Sequence, residues 1–238
     1  MLAHRGLAVG APENTLLAFA KALGAGATHL ETDVHASADG VAILSHDPDL
    51  TRLARRGVRI DQLTAAELGR VDLGEGQSYT TLAAALDTFP EARFNIDVKA
   101  AAAVAPTIKA IRDARAEGRV LIGSFSASRR LAVVRAVPGV STSVSARGAV
   151  IATWAATVGM AWITRRVLRS VHAVQLPERI LGASTTSRRV VAAFHSAEVE
   201  VHIWTVNDPA TMRRLVAAGV DGIVTDRADI ALEVLASR

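Results

Sequence analysis

The chain has 238 residues, half of them apolar and only 4% aromatic, so one large domain can be built around a core of Ala, Val, Leu and Ile. Its balance of 27 Lys plus Arg against 23 Asp plus Glu is mildly basic. The arginine pairs Arg55-Arg56, Arg129-Arg130, Arg165-Arg166 and Arg188-Arg189 lie far apart and away from stacking aromatics, which argues against a nucleic-acid platform. The absence of cysteine excludes disulfides and thiolate metal sites.

Taken in chain order, residues 1–4 read as a short first strand. Residues 14–23 carry apolar side chains at helical spacing, begin near Pro12 and end at Gly24-Ala25-Gly26. Residues 28–34 read as a strand, Asp39-Gly40 as a turn and 41–45 as a returning arm. The stretch 48–80, rich in Gly and charge, resembles an insertion. A helix over 82–88, a strand over 93–98 and an Ala-rich helix over 101–117 closed by Gly118 come next. Strands are expected at 120–124, 140–144, 171–176, 199–206 and 221–225. Helices are expected at 128–136, 148–169, 187–197, 209–218 and 228–236.

Apart from the 41–45 arm, this makes eight strand-then-helix units. Strict alternation over this length predicts an α/β protein, a (β/α)8 TIM barrel spanning residues 1–238 as a single domain, with a small hairpin and insertion after the second strand. An open doubly wound sheet would show a Gly-rich phosphate loop after its first strand, and none is present. Barrel active sites lie at the C-terminal ends of the strands. His4, Glu31, Asp33, His46, Asp97, Lys99, Gln175, Trp204, Asn207 and Asp226 all fall at or just past such ends.

Glu31 and Asp33 stand two apart on one strand, so they point to the same side, about 7 Å apart. Two carboxylates so placed repel each other unless a cation lies between them, the alternative being an acidic strand end in solvent. Asp97, on the next parallel strand, would supply a third carboxylate. An all-oxygen set favours a hard divalent cation, Mg²⁺ or Ca²⁺. His4 and His46 are the acid–base candidates, because imidazole titrates near neutral pH. Arg5 and Lys99 suit phosphate oxygens, or else neutralise the carboxylates; the two roles are compatible. His35 reads as a supporting or hairpin residue, and His29, His172, His195 and His202 read as structural or surface residues.

The fragments His4-Arg5-Gly6, Ala11-Pro-Glu-Asn-Thr15, Glu31-Thr-Asp-Val-His35, Asp39-Gly40 and His46-Asp47 together resemble the first half of glycerophosphodiester phosphodiesterases, phosphatidylinositol-phosphodiesterase-like TIM barrels. Asn95-Ile-Asp-Val-Lys99, Ser124-Phe125, Trp204-Thr-Val-Asn207 and Gly219-Val-Asp-Gly-Ile-Val-Thr-Asp226 extend the likeness to the other end. The resemblance implies metal-dependent hydrolysis of glycerophosphodiesters to glycerol 3-phosphate and an alcohol, through a cyclic glycerophosphate. Carried over by position, it implies Glu31, Asp33 and Asp97 as metal ligands and His4 and His46 as the acid–base pair. Arg5 and Lys99 would hold the phosphate, Trp204 would line the glycerol side with Gln175 facing the same cavity, and Glu13 and Asn14 would shape the site.

Two departures stand out. Asp97 occupies a place where the family usually has Glu, which withdraws the carboxylate by about 1.3 Å. Its Asp-x-Lys arrangement is similar to sphingomyelinase D and lysophospholipase D-like relatives, which release a cyclic phosphate from a lipid. Ser78-Tyr-Thr-Thr-Leu82 replaces an expected Pro-Thr-Leu-Glu-like stretch, and the short 48–77 segment implies a more open site. A non-catalytic barrel that binds phosphodiesters is the third reading, and the intact histidines and carboxylates speak against it.

The longest apolar run, 149–163, falls short of the roughly 20 residues that span a bilayer. It reads as the fifth outer helix, buried against the barrel. The alternative is an interfacial patch marked by Trp154, Trp162 and Arg165-Arg166, giving peripheral membrane contact. With the functional motif starting at residue 4, a cytoplasmic protein acting on a small molecule is expected.

Overall fold

The computed structural model describes residues 1–236. Eight parallel strands form its centre: β1 (Leu2–Ala3), β2 (His29–Ala36), β4 (Arg93–Val98), β5 (Val120–Gly123), β6 (Ser141–Thr142), β7 (Ala173–Leu176), β10 (Glu200–Ile203) and β11 (Gly222–Thr225). Their spatial order is β6-β5-β4-β2-β1-β11-β10-β7. The ring closes between β6 and β7, where Val144 N–H reaches Ala173 O at 3.0 Å and His172 N–H reaches Thr142 O at 2.8 Å. The expected barrel is therefore present. The returning arm β3 (Ala42–Leu44) pairs antiparallel with β2, as the Asp39-Gly40 turn predicts.

Alternation along each strand divides the molecule. On β2, Leu30, Thr32 and Val34 face outward, while Glu31 and Asp33 take the inner positions between them. Leu30, Val34, Phe94, Ile96 and Ile122 join helix residues such as Phe19, Leu82, Ile111 and Val133 in one core layer. Phe19 meets Phe94 edge-on, with ring centroids 5.9 Å apart. Burying each such ring contributes about 1.5–3 kcal/mol.

The helices are α1 (Leu16–Gly24), the two short turns α2 (Thr51–Ala54) and α3 (Ala65–Leu68) of the insertion, α4 (Leu82–Thr88), α5 (Val104–Asp113), α6 (Ala127–Ala136), α7 (Ala146–Val158), α8 (Ala161–Leu168), α9 (Arg188–His195), α10 (Pro209–Ala217) and α11 (Ala228–Ala236). Hydroxyl or carboxylate caps start many of them: Thr15, Thr81, Ser126, Ser187 and Asp208 each accept from a backbone N–H three residues on. The insertion carries its own small core of Ile43, Leu50, Ile60, Leu68, Val71 and Tyr79.

Three sequence readings change. The helix expected over 148–169 breaks at Gly159, whose φ of 84° ends α7 in a left-handed cap. The helix expected over 101–117 is α5 flanked by 3₁₀ turns at Ala101–Ala103 and Glu117–Arg119, because Arg115 takes a φ of 48° and the chain turns before Gly118. A second hairpin, β8 (Arg179–Ile180) with β9 (Ala183–Ser184), follows β7. Among the described residues no helix is long and apolar enough to cross a membrane.

Candidate active site

The first βα loop is fixed by backbone that most residues would resist. Gly6 has a φ of 85°, and a Cβ there would lie 2.7 Å from the Ala18 carbonyl carbon. That close approach lets Leu7 N–H reach Ala18 O at 2.9 Å. Arg5 and Asn14 both have φ near 56°, and Asn14 N–H closes the loop on Arg5 O at 2.9 Å. The Arg5 N–H is thereby aimed at Glu31 Oε2, 3.0 Å away.

Register then assembles the carboxylates. Asp33 lies directly across from Asp97, and Glu31 from Asn95. Lys99 Nζ bridges the aspartates, 2.8 Å from Asp33 Oδ1 and 2.7 Å from Asp97 Oδ2. Arg5 Nε lies 3.2 Å from Asp33 Oδ2 without hydrogen-bond alignment, and Asn14 Nδ2 donates weakly to the same oxygen at 3.5 Å. Burial alone would raise the Asp33 pKa, but Lys99 and Arg5 outweigh it and hold the carboxylate below its usual range. Glu31 goes the other way: burial, reinforced by the charge of Asp33, pushes its pKa well up.

Each catalytic candidate histidine is held through Nδ1. His4 donates to Asp226 Oδ1 at 2.6 Å, and Asn207 Nδ2 donates to the other oxygen of Asp226 at 2.7 Å. His4 Nε2 is left 4.0 Å from Glu31 Oε2. Burial acts to lower the His4 pKa, but the Asp226 hydrogen bond and the Glu31 charge raise it above the ordinary histidine value. His46 donates to Asp47 Oδ1 at 2.8 Å. Asp47 Oδ2 accepts from Arg52 Nε at 2.5 Å, and the Arg52 fork grips Glu13 at 2.6 and 2.9 Å. Arg5 NH1 donates to Glu13 Oε1 at 3.1 Å, so one ion-pair chain runs from the His46 loop to the first βα loop.

Nine predicted residues, His4, Arg5, Glu31, Asp33, His46, Asp97, Lys99, Gln175 and Trp204, line one cavity of about 390 Å³ at the C-terminal ends of the strands. Gln175 Nε2 sits 3.4 Å from His202 Nδ1. Trp204 meets Phe125 edge-on at 6.3 Å, making an aromatic corner, and Lys99 Nζ lies 5.9 Å from the Phe125 ring centre. Glu13, Asn14, Asn207 and Asp226 brace the lining from behind. Sequence reading assigned no role to Phe125, Arg52 or Asp226. Position at a strand end was the available signal for Asp226, and the Ser-Phe fragment for Phe125; Arg52 carried none.

Among the described residues no group of three or more His, Asp or Glu side chains is spaced as a metal cluster. In this arrangement Arg5 lies beside Asp33, and Lys99 beside Asp33 and Asp97, as the alternative neutralising role requires. The donors nevertheless suit a hard cation. Asp97 Oδ1 is buried without a hydrogen-bond partner, and the Glu31 carboxyl is buried beside Asp33, where only added positive charge lets it ionise readily.

A family model described as the glycerophosphoryl diester phosphodiesterase family matches residues 4–230. A probable glycerophosphodiester phosphodiesterase 2 from Mycobacterium tuberculosis is 40% identical, over 100% of this chain and 90% of its own. A solved glycerophosphodiester phosphodiesterase from Thermotoga maritima is 26% identical with a TM-score of 0.76, covering 98% of this chain and 96% of that one. A phosphodiesterase from Oleispira antarctica, solved in complex with the product sn-glycerol-3-phosphate, has a TM-score of 0.81 at 20% identity and covers 99% of this chain and 96% of that one, which shows a shared fold.

Proposed function

The chain belongs to the glycerophosphoryl diester phosphodiesterase family, and we propose that it hydrolyses glycerophosphodiesters to glycerol 3-phosphate and an alcohol with the aid of a divalent cation. The observation that carries this reading is the pair of imidazoles lining one cavity, each held through Nδ1 by its own carboxylate, together with three carboxylates and a lysine in the same lining. That arrangement leaves both Nε2 atoms for proton traffic with a bound phosphodiester.

Glu31, Asp33 and Asp97 would hold the cation, Mg²⁺ or Ca²⁺. When bound, it neutralises negative charge that builds on phosphorus-bound oxygens. Arg5 and Lys99 hold the phosphoryl oxygens, Arg5 by its fork and Lys99 as a point charge. One imidazole takes the proton of the attacking oxygen as its bond to phosphorus forms. The other protonates the departing alcohol as the bond between that alcohol's oxygen and phosphorus breaks. Where the attacking oxygen is the neighbouring glycerol hydroxyl, water then opens the cyclic glycerophosphate to glycerol 3-phosphate, and where it is water that product forms directly. Asp226 and Asp47 hold the rings in the tautomer that leaves Nε2 free and stabilise each ring when it is charged. Phe125 and Trp204 would cover the apolar C–H face of the glycerol, with Gln175 lining the same cavity.

The test is product identification from glycerophosphocholine, glycerophosphoethanolamine and lysophosphatidylcholine with Mg²⁺, Ca²⁺ or EDTA. Glycerol 3-phosphate that disappears with EDTA is expected. Cyclic lysophosphatidate as the product would move the chain to the lipid-lyase reading. Binding without turnover would make it a phosphodiester-binding barrel.

A further inference from the structure

The outer face of α7 is not covered. Beyond Ala146 at its first position, its exposed residues are Arg147, Ile151, Trp154 and Val158, which fall on one stripe at helical spacing, while Ala149, Ala152, Ala155 and Ala156 bury the opposite side. The 149–163 run thus spans most of α7, the break at Gly159 and the start of α8, and the alanines of α7, not Trp154, face the core. The exposed apolar surface continues through Met160 to Trp162 in the first turn of α8. Trp154 is 46% exposed, Trp162 70% and Leu181, at the tip of the β8–β9 hairpin, 75%. Two of the chain's three tryptophans therefore face solvent in one apolar stretch, a pattern that marks an interaction surface.

Charge says what the surface fits. Residues 118–197 contain eleven arginines, no lysine and one carboxylate, Glu178, whereas the remaining residues carry 16 basic and 22 acidic side chains. Glu178 is itself paired with Arg214 at 2.5 Å. Arg147 heads the stripe, Arg165 and Arg166 are exposed on α8, and the Arg189 guanidinium lies against the Gly159 turn. Tryptophans beside arginines, with acids nearly absent, match the chemistry of an anionic bilayer surface: indole rings at headgroup depth and guanidinium groups on lipid phosphates.

Position ties the stripe to the site. Ala146, Ala149 and Val150 at the start of α7 line the cavity, as does Ile180 of β8. α7 packs on β9 and on α9, both of which follow the C-terminal end of β7, and the head of the stripe, Arg147, adjoins the cavity-lining Ala146.

We propose that the α7–α8 face, with the Leu181 hairpin tip, docks the enzyme on an anionic lipid surface and holds the cavity mouth at headgroup level. The docking stands on this surface alone, so it and the diesterase reading fail separately.

Co-sedimentation with vesicles of phosphatidylglycerol and phosphatidylcholine in equal parts, against phosphatidylcholine alone, tests it at low salt. The chain is expected to pellet with the anionic vesicles and stay in solution with the neutral ones. The pairs Trp154→Ala with Trp162→Ala, and Arg165→Gln with Arg166→Gln, should each weaken binding about tenfold or more while glycerophosphocholine turnover is unchanged. All four side chains are exposed, so circular dichroism of the variants should match the parent. A chain that stays in solution with anionic vesicles at low salt overturns the proposal, as does a tryptophan variant that binds as the parent does. A dimer in sedimentation equilibrium that the tryptophan variant dissolves, without vesicle binding, assigns the surface to a second copy and equally overturns it.

Discussion

Among single residues, Asp97 distinguishes this site most sharply. Oδ2 is tied to Lys99, but Oδ1 is buried with no partner, an arrangement that costs about 1–3 kcal/mol unless something positive meets it. A longer side chain would carry the carboxylate about 1.3 Å further into the cavity. Asp97→Glu is expected to retain turnover and to lower the Mg²⁺ concentration that gives half-maximal rate. A titration of rate against metal reads this directly; an unchanged or higher requirement contradicts Asp97 as a ligand. The residues of the site were largely legible because strand-end position and motif both marked them. Asp226 was marked in the same way, but its partner was not, because His4 meets it across the β1–β11 pairing, 222 residues away in sequence; Arg52 carried no motif at all.

For the elements, the periodic signals worked where one face of a strand or helix is buried. The hydroxyl caps set helix starts, and Leu82–Thr88 and Arg93–Val98 match their expected bounds. They failed where the backbone turns for steric reasons. The β8–β9 hairpin turns at Leu181 and Gly182, both at positive φ, and Leu is an unusual residue for the first of those positions. The long helix expected over 148–169 passed over Gly159, a glycine that was the available stop signal and that takes a left-handed φ in the structure. Gly6 is the glycine on which the site leans hardest. Gly6→Ala would force a methyl within 2.7–2.8 Å of Ala18 and place Ala at positive φ. A stability loss of about 1–3 kcal/mol is expected, read as a lower urea midpoint, together with a fall in kcat as the Arg5 N–H leaves Glu31. A variant as stable and as active as the parent would show that this loop does not set the site.

In the whole molecule, eight strands drawn from the full length of the chain place residues 4, 31, 33, 97, 99, 175 and 204 around one cavity, and the β3 arm adds residue 46, which is why motifs so far apart in sequence act together. The barrel was legible from alternation alone. Its charge asymmetry was written in the composition but acquired meaning once α7 was found to show Trp154 rather than bury it. The central claim is that two carboxylate-held histidines act over a cation-holding carboxylate floor. ³¹P NMR of glycerophosphocholine incubated with the parent, His4→Ala and His46→Ala, with Mg²⁺ and then EDTA, tests it most directly. The parent should form the glycerol 3-phosphate resonance and lose that activity in EDTA, with each histidine variant slower by about 10²-fold or more. Undiminished glycerol 3-phosphate in EDTA, or from either variant, would contradict the claim.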